Sequence, residues 1–250
     1  MKLKLDLHVH SEKSFDCVQS LDDIVKACKE RGIDGACICD HDESKTDFEI
    51  RDGILLIPGV ELSTEYGHIL GLFLNSPVNP ERDFEKAVTS IHKAGGLAFF
   101  AHPFEKRKKK KSETDKMLSD VISRIDGIET QNSRCELFVK NGNDCAKEIA
   151  RKLGAVQVGG SDGHTKDEIG NSITEIEVDT DKVEKVTLLM LKTALADGKT
   201  TVEKIRTTKK SAIVKSQFIR HKKTKSEIRK WIKYIAFVVR LYLLPGSVHK

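Results

Sequence analysis

Short apolar runs that end, one after another, in histidine or a carboxylate constrain this chain more than any other feature of its 250 residues. KLKLDLHVH alternates, reads as a strand, and puts His8 and His10 on one face. IDGACICDH ends in Asp40 and His41, ILLIPGVELST carries Glu61 near its end, and HILGLFL opens on His68. GLAFFAHP reaches His102, and AVQVGGSDGH runs into Asp162 and His164. A lone histidine at a strand end is usually a hydrogen-bonded packing residue. Six of the nine histidines at such boundaries are hard to explain as packing, because buried polar groups are costly without partners.

Helical patterns separate these runs. LDDIVKACKERG has Ser20 as its cap and Gly32 as its stop, and FEKAVTSIHKAGG and NDCAKEIARKLG follow later. IDGIETQN and SITEIEV complete the strands. Strands alternating with helices predict a mostly parallel α/β sheet, and the number of repeats favours a barrel; a doubly wound open sheet is the alternative. No GxGxxG or GxxxxGK[ST] loop follows a strand, which argues against a nucleotide fold. In parallel barrels catalytic side chains converge at the carboxyl ends of the strands, where imidazoles and carboxylates can supply lone pairs to a divalent cation.

The net charge of +5 hides an asymmetry: residues 209–250 hold twelve Lys or Arg and one Glu, which leaves the first 208 residues at −6. The chain divides accordingly into a body, 1–207, and a basic, amphipathic extension, 208–250. The extension has three readings: a capping helix docked through Trp231, Ile232, Ile235, Val238, Val239 and Tyr242; nucleic-acid binding through 209–233; or peripheral membrane contact through 231–244. The run KRKKKK at 106–111 predicts an exposed loop, and it too is a candidate for nucleic acid. The six cysteines form no CxxC pair and read as buried thiols in a reducing cytoplasm. The opening MKLKLDLHVHS lacks the apolar run of a secretory leader, and no stretch reaches membrane-span length, so the cytoplasm is the expected compartment.

Taken in order, DLHVHS, CDHD, GVELST with GHILGL, FFAHP and GGSDGH resemble the motifs of the PHP (polymerase and histidinol phosphatase) superfamily, over about residues 1–175. The resemblance implies a distorted (β/α)7 TIM-like barrel holding two or three divalent metal ions (Mn, Fe or Zn). It also implies hydrolysis of phosphoesters through a metal-bridged hydroxide. Carried over residue by residue, His8, His10, Glu61 and Asp162 would hold one metal. Glu61 would bridge to a second, held also by His68 and His102. His41, His164 and Asp16 would hold a third; Asp16 stands where several relatives have His, and its other reading is a turn residue before the first helix.

Asp162 or Asp40 would orient water or a ligand imidazole, and Asn132 and Arg134, in ETQNSRC, are similar to an N-x-R found near the phosphate in relatives. An ordinary surface role for Arg134 is the alternative. Glu65 and Tyr66 are candidates for the pocket mouth, while His92, His221 and His249 read as structural or solvated. The expected substrate is a small phosphorylated metabolite or nucleotide. Nucleic-acid end processing and a non-catalytic metal-binding module are the competing readings, and the oligomeric state is open.

Overall fold

Among the residues that the computed structural model describes, namely 1–45, 47–104, 111–139 and 141–243, ten strands join in one curved sheet. The first half of the chain contributes β1 (Lys2–Val9), α1 (Leu21–Arg31), β2 (Gly35–Ile38), β3 (Glu49–Arg51), β4 (Ile54–Ser63), β5 (His68–Leu72), α2 (Phe84–Lys93) and β6 (Leu97–Phe100). There follow α3 (Lys111–Val121), β7 (Gly127–Asn132), α4 (Cys135–Phe138), α5 (Gly142–Leu153), β8 (Val156–Gly160), β9 (Ser172–Glu177), α6 (Leu188–Ala196) and β10 (Thr200–Lys204). Two helices, α7 (Lys210–Lys223) and α8 (Ile228–Leu243), end the described chain.

Along the sheet the order is β10-β9-β1-β2-β4-β5-β6-β7-β8, and β3 pairs with β4. The path almost closes on itself. His10 donates its backbone N–H to the Gly163 carbonyl, 2.9 Å away, and Gly163 donates to the His8 carbonyl at 3.2 Å. Closure demands glycine: a Cβ on Gly160 would lie 2.5 Å from the His8 Cβ and 2.6 Å from its nitrogen. Leu5, Cys37, Ile57, Leu72, Phe99 and Val158, from six strands, meet in one buried cluster, as a sheet wrapped around its own core requires. Leu191 and Leu195 of α6 pack on the same cluster. Helices α2, α3 and α5 cover the outside with Phe84, Leu118 and Ile149, and α1 covers β1 and β2 with Ile24 and Cys28.

The fold is the expected distorted α/β barrel, but its sheet is mixed rather than mostly parallel. β1, β2 and β4 run parallel, as do β6, β7 and β8, whereas β5 is antiparallel to both neighbours and β9 and β10 are antiparallel additions. Only residues 64–67 join β4 to β5, too few for a crossover, so the chain must fold back as a hairpin. That reversal brings His68, at the start of β5, to the same end of the barrel as the carboxyl end of β4, with Ser63 paired to His68.

Local signals account for the elements. α1 begins in a capping box, with Ser20 accepting from the Asp23 N–H and Asp23 accepting from the Ser20 N–H, and ends on left-handed Gly32 at φ 64°. α2 is capped by Asp83 and α6 by Thr187. Five of the six cysteines are buried, and Cys145 is half-buried. No helix of the described residues is long and apolar enough to cross a membrane. The basic run 106–111 lies outside the described residues, apart from the backbone of Lys111, which opens α3.

Of the three readings of the extension, docking falls on a different helix from the one whose residues were named for it. The helix that docks on the barrel is α7, which buries Ala212, Ile213, Ser216 and Ile219. Its Lys223 ammonium donates to the carbonyls of Glu12, Ser14 and Cys17. α8 instead packs on α7: Trp231 and Tyr234 lie against Phe218 and His221, and the Tyr234 hydroxyl donates to the Val214 carbonyl. Of the residues expected to dock, Ile232, Ile235, Val239 and Tyr242 are exposed.

Candidate metal centre

Every expected metal ligand sits at one end of the barrel, and strand geometry explains how most of them arrive there. His8 and His10 keep the period of β1 and are fully buried. His41 follows β2 and forms a parallel bridge with Glu61 near the end of β4. His102 follows β6, and Asp162 and His164 follow β8.

Glu61 is the hub. Its side chain is 1% exposed, and five imidazoles surround it. They divide between its two oxygens. Oε2 faces His41 Nδ1 at 2.9 Å, His10 Nε2 at 3.5 Å and His8 Nε2 at 3.6 Å. Oε1 faces His68 Nδ1 at 2.7 Å and His102 Nε2 at 3.1 Å. A carboxylate with a separate set of imidazoles on each oxygen would be able to share in holding a cation through either oxygen.

Four overlapping triplets each bring their donor atoms within 4.8 Å of one another: His8, His10 and Glu61; Glu61, His68 and His102; His8, His102 and Asp162; and His10, His41 and His164. Asp16 lies beside the last set, 3.2 Å from His164 Nε2 through Oδ1 and 3.6 Å from His41 Nε2 through Oδ2. It therefore adjoins the histidines with which it was grouped on sequence.

The donors fit cations better than they fit one another. The Nε2 atoms of His8 and His10 lie 3.2 Å apart. Asp16 Oδ1, His41 Nδ1 and Glu61 Oε2 are buried without a hydrogen-bond partner, even though His41 and Glu61 approach to 2.9 Å. Lone pairs converging on one point, and buried acceptors with nothing donated to them, are what a divalent cation satisfies.

The electrostatics agree. Burial alone would raise the carboxyl of Glu61, yet His68, His41 and His8 hold it well below the usual range. Asp162 is likewise held down against burial by His8, His10 and His164. Burial alone would lower His41, but Glu61 and Asp16 outweigh it and raise it to about 10. His10 goes the other way, pushed well below its ordinary value by burial and by the neighbouring His164 and His41.

A second ring of groups orients the first. Glu129, in the middle of β7, was missed in the sequence. Its Oε1 lies 3.0 Å from His8 Nδ1, and its Oε2 accepts from the His102 N–H at 2.9 Å and the Asn132 amide at 3.1 Å. An acidic residue at the centre of a short buried strand was the available signal. Ser14 was also missed: its hydroxyl lies 3.0 Å from His10 Nδ1 and donates to Asp40.

Asp40 is buried and spends its carboxylate on Ser11 and Ser14, away from the cavity, so it positions His10 through Ser14 and does not orient water itself. Asn132 also turns inward: its oxygen accepts the N–H groups of Arg134 and Cys135, and its amide donates to Glu129. The amide also lies 3.4 Å from Asp162 Oδ2, so Asn132 braces both the loop after β7 and Asp162 and does not itself line the cavity. Arg134 edges the cavity, but its Nε and Nη2 donate to Glu168 at 2.8 Å each, which ties down most of the guanidinium expected to hold phosphate. Glu65 accepts the Phe84 N–H at the start of α2, and Tyr66 packs on Phe84; neither lines the cavity.

Over the donors lies a cavity of about 220 Å³, lined by Asp16, His41, Glu61, His68, His102, Asp162 and His164 together with Phe15, Gln217 and Arg220. The last two come from α7, which was read from sequence only as part of a basic tail.

Comparison with known proteins agrees with this geometry. The PHP domain model matches residues 6–156, and the PHP-associated model matches 140–188. The chain is 31% identical over 173 residues to the uncharacterized protein MJ0417 of Methanocaldococcus jannaschii, covering 68% of this chain and 69% of that one. It is similar in fold to a Bacteroides vulgatus two-domain protein containing a predicted PHP-like metal-dependent phosphoesterase, with a TM-score of 0.61, 21% identity and coverage of 81% of this chain and 65% of that one. It also resembles the lesion-specific endonuclease PfuEndoQ of Pyrococcus furiosus, with a TM-score of 0.56, 16% identity and coverage of 81% and 58%. The chain thus spans less than two thirds of either solved structure. With a family model over more than half its length and the donor set at the end of a distorted barrel, the chain belongs to the PHP domain family.

Proposed function

We propose that the protein hydrolyses phosphoesters of small molecules, a phosphorylated metabolite or nucleotide, with two or three divalent cations of the Mn, Fe or Zn type. The observation that carries this reading is the division of five histidines between the two oxygens of buried Glu61. Oxygen from Asp16 beside His41 and His164 makes that part of the site harder than an all-imidazole set, which suits Mn or Fe. When bound, such cations lower the pKa of water and neutralise charge developing on phosphoryl oxygens.

The chain's own residues do the rest. Glu61 and the histidines fix the positions of the donors, while Glu129 and Ser14 hold His8 and His10 in orientation. Asp162, whose Oδ1 lies 3.4 Å from His10 Nε2, orients the attacking water. In the reaction a bond from water oxygen to phosphorus replaces the bond to the leaving oxygen, which takes up the proton that water gives up. The cavity of about 220 Å³ suits a phosphoryl group with a small leaving group better than a polynucleotide.

The test has two stages. Elemental analysis of the purified protein should find transition metal, and Mn-loaded protein should release nitrophenol from p-nitrophenyl phosphate. His10→Ala and Asp162→Ala should each abolish turnover while leaving the circular dichroism spectrum unchanged. A screen of phosphorylated metabolites against a labelled oligonucleotide then assigns the substrate class. Metal-free protein without turnover under every condition would sink the reading and leave a structural module in its place.

A further inference from the structure

Among the described residues of the cavity wall, Arg134 is tied to Glu168, whereas Arg220 is a second cation with no carboxylate partner. Arg220 of α7 lies with its guanidinium carbon 5.0 Å from the Phe15 ring centroid, and Phe15 stacks on His41 at 4.7 Å with an interplanar angle of 13°. The three groups form a layered column from α7 down to the donor cluster. Arg220 is exposed and makes no ion pair among the described residues, in contrast to Arg134, which is committed to Glu168. Gln217, one turn earlier on α7, lines the same cavity. Helix α7 is locked in place by its buried face and by Lys223, so both side chains are held at the cavity by a fixed element.

We propose that α7, which lies beyond both family-matched segments, completes the substrate pocket: Arg220 receives the terminal phosphate of a small phosphomonoester, and Gln217 supplies a neighbouring polar contact. The proposal rests on the phosphoesterase reading above. Its chemistry is that of a planar donor fork over an aromatic face. Phe15 limits the swing of the guanidinium while leaving its N–H groups free for oxygen. A monoester carries a second ionisable oxygen that a diester lacks, so an added cation in the wall favours the monoester.

The experiment compares the full-length, Mn-loaded wild type with Arg220→Gln, Arg220→Lys and Phe15→Leu. Binding of inorganic phosphate is measured calorimetrically, and kinetics are measured with p-nitrophenyl phosphate and bis(p-nitrophenyl) phosphate. Arg220→Gln should weaken phosphate binding and raise KM for the monoester by about 10- to 100-fold, with kcat, metal content and melting temperature nearly unchanged. The preference for monoester over diester should shrink in parallel, Arg220→Lys should recover part of the loss, and Phe15→Leu should show a weaker version of it. Unchanged phosphate binding and KM in Arg220→Gln, with wild-type turnover intact, would overturn the subsite and leave the phosphoesterase standing. A wild type that binds phosphate through Arg220 without turnover would support the subsite and count against hydrolysis. A wild type that does neither overturns both.

A separate observation concerns the outer face of α8. Ile228, Ile232, Ile235, Val239 and Tyr242 recur at helical spacing and are all exposed. Arg229, Lys233 and Arg240 follow one border of that stripe, and α8 holds no acidic residue. A second copy would bring the same cations together, whereas an anionic bilayer surface complements both the charge and the apolar row.

We infer that α8 lies on anionic lipid. Full-length protein should sediment with vesicles of phosphatidylcholine mixed with phosphatidylserine, should not sediment with phosphatidylcholine alone, and should be released by salt; Ile235→Asp should abolish the association. Equal binding to neutral vesicles, binding to neither, or a dimer in light scattering that Ile235→Asp dissolves would overturn it.

Discussion

Arg134 and Glu168 form a buried, two-pronged ion pair, with guanidinium Nε and Nη2 each 2.8 Å from a carboxylate oxygen. The same carboxylate accepts the His164 N–H and the Thr165 hydroxyl, so it fixes the turn that carries His164. Removing one partner strands a buried charge. Glu168→Ala should therefore cost about 3–5 kcal/mol in urea unfolding, and Arg134→Met combined with Glu168→Ala should recover part of it. A loss below about 1 kcal/mol for the single variant would mean that Arg134 finds another partner and is available to substrate after all.

The raised His41 gives the metal-free protein a defined pH response. Because its folded value of about 10 exceeds the ordinary 6.5, His41 is protonated at neutral pH in the absence of metal. Its contribution to the stability of that form is complete below about 6.5 and is lost as pH rises toward 10. A cation needs the neutral ring, so binding must expel the proton, and affinity must rise with pH across the same window. Titration of Mn into metal-free protein at pH 7, in buffers of different ionisation enthalpy, should show net proton release. No release would contradict the assignment of His41 as a ligand.

Glu61 and Glu129 are both buried carboxylates beside His8, but their substitutions should separate. Glu129 touches His8 through Nδ1, the nitrogen turned away from Glu61, so Glu129→Gln should weaken metal binding by about 10- to 100-fold. Glu61→Gln removes the carboxylate that meets two imidazole sets, and should exceed that loss and lower the number of metals per chain. Equal effects in plasma mass spectrometry and competition titration would deny Glu61 its bridging place.

The thiols should be inert while the protein is folded. Burial pushes Cys17 up to about 12, and Cys28, Cys37, Cys39 and Cys135 are also buried, with Cys145 half-buried. Ellman's reagent at pH 8 should titrate at most one thiol per chain within minutes, and all six after denaturation. Rapid modification of two or more would mean that the barrel end opens.

Much of the site was legible because ligands recur at strand ends, and strand ends are the best-marked points of an α/β sequence. The sense of each strand was not legible. His68 belongs to the cluster because residues 64–67 are too short to do anything but reverse the chain. β3 escaped notice although Asp52 and Gly53, both with positive φ, are a hairpin signal between it and β4. The roles of Arg134 and Asn132 could not be read, since sequence alone neither pairs Arg134 with Glu168, 34 residues on, nor aims the Asn132 amide at Glu129. The docking reading of the extension fell on the wrong helix for a related reason: α8 has two apolar faces, and periodicity alone does not say which one meets protein.

His102 and Asp162 both adopt left-handed backbone, at φ 26° and 56°. For residues with a side chain such torsions cost on the order of 1–2 kcal/mol each. A library selected for heat resistance alone would drift toward glycine at these two points and yield sturdier barrels that no longer gather cations. Durability and chemistry pull against each other here, at two peptide units rather than across the whole molecule.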